Sequence, residues 1–474
     1  MNEAKIHYHD IGDYFSREDK LRIIKQFGSV EHVPWTILEP NEHGDWINHR
    51  NEMFKEFIPL GDKDNKKNEK TFFAPVYARG IGTSRDSWAY NYSKHKMLES
   101  MERSNSFYNE QRILYLQEKQ KEPNLKVEDF IDPNPINISW SRAYRDDISK
   151  NKIHVFNSKY ATIGIYRPFS KMNLYFDKTV LNDVGPIFNM FPTSNHKNLV
   201  ICVSGIGASK DFSTIITDCI PDLQLQFNGQ CFPLYWYDSS DADVADLFNQ
   251  GAEKPMNRYV RKDGVTDWIL NTARKQYGYK VTKEDIFYYV YGLLHSPDYR
   301  IAFATDLKKS LPRLPLVEKA GDFWAFSKAG RELANLHLNY EAIEPYGKCV
   351  IVHAPLTTKG DSINYHVEKM RFGKIDSKIA DKSIIHYNHA ITIEGIPAEA
   401  YEYVVNGKSA IEWVMERYAI TTDKKSGITN DPNDWAREHN DEKYILNLLL
   451  QVINVSVQTV EIVKGLPRLE FGAD

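Results

Sequence analysis

The chain has 474 residues, 42% of them hydrophobic, and its 60 Lys and Arg against 64 Asp and Glu leave a formal net charge of −4. That length supports sizeable cores and about two or three domains, and the charge excludes a uniformly basic nucleic-acid coat while permitting local basic patches. Four scattered cysteines without Cys-x-x-Cys spacing argue against a disulfide framework or structural zinc and for a reducing cytoplasm; the opening "MNEAKIHYHD" has no apolar signal region, and no uninterrupted apolar run approaches transmembrane length.

Residues 3–9 alternate like a strand, and "DYFSREDKLRIIKQFGSV" reads as a short helix. Ser16 and Asp19 have N-cap spacing there, with Leu21, Ile24 and Phe27 on one face. The polar run 62–70 reads as a linker or exposed loop. From Thr71 the composition shifts to "FFAPVYARGIGTSRDSWAYNY", dense in aromatics, glycine and arginine, followed by a long polar helix over roughly 93–121. Strand-like pieces follow at 153–157, 161–166, 173–176, 199–204, 223–227 and 231–237, then a turn-rich acidic stretch at 238–256. Helices are predicted over 265–278, 282–311 (broken at Ser296-Pro297), 327–341, 397–405, 409–419 and 441–466, and short strands at 348–353, 365–369 and 383–387.

Several chemistries have no motif here. There is no P-loop, no strand followed by G-x-G-x-x-G, no H-E-x-x-H and no G-x-S-x-G. "SGIGAS" (204–209) lacks a third glycine and reads as a turn, though a turn can offer backbone N–H groups to a phosphate. His7, His9, His32 and His43 read as packing or surface residues rather than metal ligands. A base-amine methyltransferase needs a cofactor-binding glycine motif and an (N/D)-P-P-(Y/F/W)-type loop for a flipped base. "DPNPI" and "DPNDW" do not supply that loop and read as turns.

Basic residues concentrate in three stretches. The first carries Arg79 and Arg85 around two glycines. The second runs from Arg142 to Lys171 and includes Arg145 and Arg167. The third is "KPMNRYVRKDG", with Arg258, Arg261 and Lys262; between Lys254 and Asp285 eight Lys or Arg face four Asp or Glu. Arginine on a flexible loop suits bidentate contact with a base edge or phosphate. For any one of them a solvated surface is an equal reading, and Arg142 and Arg167 also read as buried ion-pair partners. Ser209 and Lys210 on the glycine turn, and Lys424 and Lys425 in "TDKKSGITNDPNDW", complete the DNA-contact candidates.

"FAPVYARGIGTSRDSWAYNY", "IGIYRPFSKMNLYFDK", "LVICVSGIGASKDFSTIITDCIPDL" and "GQCFPLYWYD" resemble blocks of the large single-polypeptide type ISP restriction–modification enzymes. So do "DIFYYVYGLLHSPDYR", "LPRLPLV", and "YEYVVNGKSAIEWVMERY" with "TDKKSGITNDPNDW". They occur in family order over nearly the whole chain. In that family one polypeptide carries a nuclease, a helicase-like ATPase, an adenine-N6 methyltransferase and a C-terminal target recognition region. The resemblance implies a mixed α/β (α+β) fold. Residues 1–70 would be the tail of a methyltransferase domain, 71–255 a β-rich recognition subdomain, and 256–474 a mainly helical second part.

It further implies sequence-specific recognition of double-stranded DNA, directing methylation and cleavage carried out by domains that this sequence lacks. No catalytic, cofactor or metal residue is expected. S-adenosylmethionine, ATP and Mg belong to the upstream domains, which a separate methyltransferase/helicase/nuclease polypeptide would supply; no membrane is involved. In this reading "SGIGASK" is either a phosphate-facing turn or a packing junction. Two alternatives stand beside it: a partner-dependent interaction module left by a split gene, motivated by an unpaired strand edge at "KIHYHD", and an independent DNA adenine-N6 methyltransferase with unrecognised motifs.

Overall fold

Helix starts are written into the sequence as hydroxyls. Ser16, Ser93, Thr282 and Ser409 each accept a hydrogen bond from the backbone N–H three residues on, at 3.1, 3.0, 3.1 and 3.2 Å. These caps satisfy donors that a helix leaves orphaned in its first turn. They begin the helices Arg17–Phe27, Lys94–Lys121, Lys283–Leu293 and Ala410–Arg417. The last two carry complete capping boxes, with Asp285 and Glu412 reaching back to the cap.

The computed structural model describes residues 5–12, 15–42, 44–47, 50–193, 195–238, 259–354, 363–376 and 379–471. They form two units, Met1–Glu52 and Met53–Asp474. In the first, Ile6–Tyr8 pairs antiparallel with Thr36–Leu38 and accompanies the helix Arg17–Phe27. That helix buries none of its residues: Leu21 and Ile24, expected on a packed face, are each 55% exposed.

The second unit is mixed α/β, as expected. One four-stranded sheet runs Ile220–Pro221, Ala161–Arg167, Ser170–Tyr175, Tyr90–Asn91, with only the first pair parallel. A second, wholly antiparallel, runs Ala78–Arg79, Gln230–Pro233, Val200–Val203, Thr214–Thr217. A third joins Val350–His353, Ile391–Glu394, Ala380–His386 and Arg371–Lys374. The two larger apolar cores both run across the chain. One joins the first two sheets to the third and to the helix Tyr444–Lys464; the other joins Phe54, Leu60 and Phe72 to the helices beyond residue 265.

Two glycines set the closest helix crossing. A Cβ on Gly330 would lie 1.9 Å from Tyr288 O, and one on Gly292 would lie 2.2 Å from Phe326 O. The helices Lys283–Leu293 and Ala320–Leu338 therefore pack backbone against backbone.

Some expected elements take another form. Residues 153–157, 223–227 and 365–369 are not strands, and 397–405 splits into a short 3-10 turn, Ala398–Tyr401, and a strand, Val404–Val405. The predicted strand at 231–237 is two strands, Gln230–Pro233 and Tyr235–Asp238. Most of the acidic stretch 238–256 lies outside the described residues. Tyr444–Lys464, though interrupted by polar residues such as Asn447 and Gln451, is by length and mean composition apolar enough to cross a bilayer, and 67% of its apolar window is buried within the protein.

Candidate nucleic-acid interface

The first arginine–glycine block is fixed by backbone. A Cβ on Gly80 would lie 2.4 Å from Asp222 O, so only glycine allows this approach. Ile81 N–H donates to Pro221 O at 2.9 Å, Leu223 N–H to Ile81 O at 2.8 Å, and Gly82 N–H to Asp183 O at 2.7 Å. Ser84 then takes a positive φ of 54°, turning the chain into the short helix Asp86–Ala89. Arg85 is swallowed by this turn. Its guanidinium lies 3.6 Å from the centre of the Tyr144 ring and donates from Nη2 to Ser141 Oγ at 2.9 Å. Its Nε and Nη1 are buried without a partner, and burial lowers its pKa. Such an uncompensated guanidinium is costly in a protein interior.

Arg85 lines a cleft of about 470 Å³ whose opposite wall comes from 340 residues later. The two-stranded ribbon Thr421–Thr422 with Thr429–Asn430 is tied back by Tyr92 N–H to Asn430 Oδ1 at 3.0 Å and by Asn91 Nδ2 to Thr429 O at 3.3 Å. The ribbon brings Lys425 and Ser426 to the cleft, and the preceding helix brings Glu416 and Arg417, whose Nε is also buried without a partner. Hydroxyls of Ser84, Ser87, Thr421 and Thr422 and carboxylates of Asp86, Glu416 and Asp423 also line it. Fixed donors beside fixed acceptors can address polar base edges as well as phosphate.

Of the basic candidates, the structure brings together Arg85 and Lys425 in this cleft, with Lys424 exposed on the same ribbon. Arg167 is an internal partner: its Nη1 donates to Asp222 Oδ1 at 2.6 Å, and its guanidinium lies 4.0 Å from the Tyr166 ring centre. Burial pushes the Asp222 carboxyl up to about 7, against the pull of Arg167. Lys171 is likewise engaged, 2.8 Å from Glu341. Arg79 is half-exposed and paired with Asp183 at 2.7 Å. Arg142 stands almost fully in solvent, 3.9 Å from Asp146, and Arg145 is half-buried on the same helix, Arg142–Ser149.

Arg261 lies over Tyr235 at 4.3 Å, and Lys262 pairs with Asp238 at 2.7 Å on the ribbon Tyr235–Asp238 with Val260–Asp263. Arg258 and His43 fall outside the described residues. Ser209 and Lys210 are exposed on the glycine turn. Three of that turn's amides are spent internally: Gly205 N–H donates to Gln226 O, Gly207 N–H to Lys308 O and Ala208 N–H to Gly205 O, at 3.2, 2.8 and 3.2 Å. Those three are not free for a phosphate, which favours the packing junction of the two readings. Among the described residues no cluster of three or more His, Cys, Asp or Glu is placed to hold a metal. Sequence reasoning missed Arg417 and Trp88, which sit in helices with no local sign of a cleft.

This architecture has clear relatives. A family model described as the Type ISP C-terminal specificity domain matches residues 72–448. The chain belongs to that family. Over 100% of its length it is 33% identical to a nuclease-deletion mutant of the Type ISP restriction–modification enzyme LlaGI, solved in complex with a DNA substrate mimic, with a TM-score of 0.80 and 40% of that chain covered. It is similar also to the ATP-dependent Type ISP enzyme LlaBIII bound to DNA (35% identity, 99% of this chain and 28% of that one, TM-score 0.81). A third relative is DrdV in its DNA complex (28% identity, 99% and 44%, TM-score 0.80). The chain thus spans less than half the length of each of these structures. No curated protein matches it.

Proposed function

We propose that this chain reads the sequence of double-stranded DNA for a restriction–modification enzyme, whose methylation, ATP-driven and cleavage activities lie in other domains. The observation that carries this reading is end-to-end similarity, at 33% identity, to part of an enzyme captured on a DNA substrate mimic. The cleft between residues 84–88 and the 421–430 ribbon supplies suitable chemistry, with Lys424 and Lys425 as phosphate contacts at its rim and Arg85 and Arg417 deeper inside. Exposed Arg142 is a further phosphate candidate.

The first unit is the proposed tail of a methyltransferase domain. Its exposed Leu21, Ile24, Val30 and Trp35 suit burial against further protein. A reducing cytoplasm belongs to the same proposal, supported by four scattered cysteines without Cys-x-x-Cys spacing.

The test is duplex binding by fluorescence anisotropy across a salt series. Affinity falling steeply as salt rises, with a slope reporting the number of phosphates neutralised, supports the reading. A chain that binds no duplex at any salt concentration contradicts it for the isolated chain.

A further inference from the structure

A second cavity shares no lining residue with the cleft above. It measures about 900 Å³ and lies where the segment 209–213, the helices Pro297–Ala302 and Ala304–Lys309, the turn at 402–407 and the end of the helix Tyr444–Lys464 meet. Its size falls within the range of small-ligand pockets, and so does its make-up: mainly apolar walls with a few convergent polar groups.

Among the described residues, two of those polar groups lack a hydrogen-bond partner and a third, Arg300, lacks a counter-ion. Arg300 donates from Nε to Leu294 O at 2.7 Å. No carboxylate among the described residues pairs with it, and burial lowers its pKa to about 10. His295 is 2% exposed. Its Nδ1 lies 2.8 Å from the carbonyl of Tyr291, which can only accept, so Nδ1 carries the proton and Nε2 presents a lone pair. Among the described residues that Nε2 has no partner, nor has the buried hydroxyl of Tyr403. Unsatisfied groups of this kind are rare inside proteins and call for an explanation. Around the mouth, Lys308 pairs with Asp211 and Lys464 with Glu402 at 3.0 and 3.2 Å, while Lys210, laid across Gly407, has no ion pair among the described residues.

We propose that this cavity binds a small amphipathic organic anion. Its acidic group pairs with Arg300 and Lys210, an N–H or O–H of the ligand donates to His295 Nε2, and its apolar body lies along Phe212, Val460 and Val463. A charged group facing apolar walls with no protein counter-ion is a poor element of stability, because desolvation is uncompensated, and a good one for selecting an anion.

The probe is 8-anilinonaphthalene-1-sulfonate, which combines an aryl body, one N–H and one anionic group. It is titrated by fluorescence into the full 474-residue chain, beside its neutral counterpart N-phenyl-1-naphthylamine. The site predicts one saturable equivalent of the anion and at least tenfold weaker binding of the neutral compound. Arg300→Met weakens anion binding at least tenfold, with Arg300→Lys restoring part of it. Ala304→Trp, an exposed position on the rim, blocks binding while circular dichroism and Tm stay unchanged. Lys210→Glu, also exposed, weakens it even if the Arg300 variants fail to fold. Equal affinity for the neutral compound, or binding indifferent to both Ala304→Trp and Lys210→Glu, overturns the proposal. So does stoichiometric displacement of the probe by duplex DNA, which would assign the cavity to the DNA surface.

Discussion

Asp222 shows how one residue can hold the interior together without touching a ligand. Its side chain accepts from Arg167 and from the backbone of Gln224, and its carbonyl oxygen sits against Gly80. Asp222→Asn keeps the volume and removes the counter-charge, stranding Arg167 in a mostly buried site. Above about pH 7, where the Asp222 carboxyl is charged, the expected cost is about 3–5 kcal/mol, read as a lower denaturant midpoint at unchanged m-value. His337 gives a pH signature. Its ring lies between Tyr291 Oη at 2.6 Å and Thr459 Oγ1 at 2.9 Å, and burial, reinforced by Arg300, lowers its pKa from 6.5 to about 3. In the unfolded chain the same ring protonates near 6.5. The stability is therefore complete above about 6.5 and is lost as pH falls towards 3, by roughly 1.4 kcal/mol per unit for this one group. His337→Gln should flatten the slope of unfolding free energy against pH in that window; an unchanged slope would show that His337 is not held neutral.

At the scale of elements, the glycine crossing makes a sharp prediction. Gly330→Ala places a methyl group where Tyr288 O already sits, so helix propensity gains nothing and the pair must separate. A loss of about 1–3 kcal/mol is expected, whereas Gly321→Ala, with open space around it, should be neutral or mildly stabilising.

The same scale shows what the sequence discloses. Cap spacing at Ser16 and Thr282 located helices because the capping bond is local. Residues 153–157 read as strand-like, but local composition does not record whether a strand partner exists. Ile153 and Val155 are 60% and 70% exposed, while His154 between them stacks on Tyr108 of the long helix at 3.9 Å. Residues 223–227 fail as a strand because the chain turns there, with Leu225 N–H bonded to Asp222 O. Arg85 was legible as a candidate, but its burial was not. Tyr144 and Ser141, which hold it, lie more than fifty residues away and belong to a helix that no strong local signal announced.

For the whole molecule, the long-range ties matter most. Ser93 Oγ donates to Glu438 Oε1 at 2.5 Å and Lys96 pairs with Asp434 at 2.7 Å, so the first and last thirds of the second unit close on each other around the cleft. DNA contacts built this way should divide by role. The double variant Lys424→Glu, Lys425→Glu should weaken all duplexes alike and reduce the salt dependence of binding, with the preferred sequence retained. If sequence specificity resides in this chain, the isolated 474-residue protein should select from a randomised duplex pool, read by sequencing what is retained at two salt concentrations. Enrichment of one short asymmetric site at both salts is the predicted result. A retained pool no different in sequence from the input would contradict it.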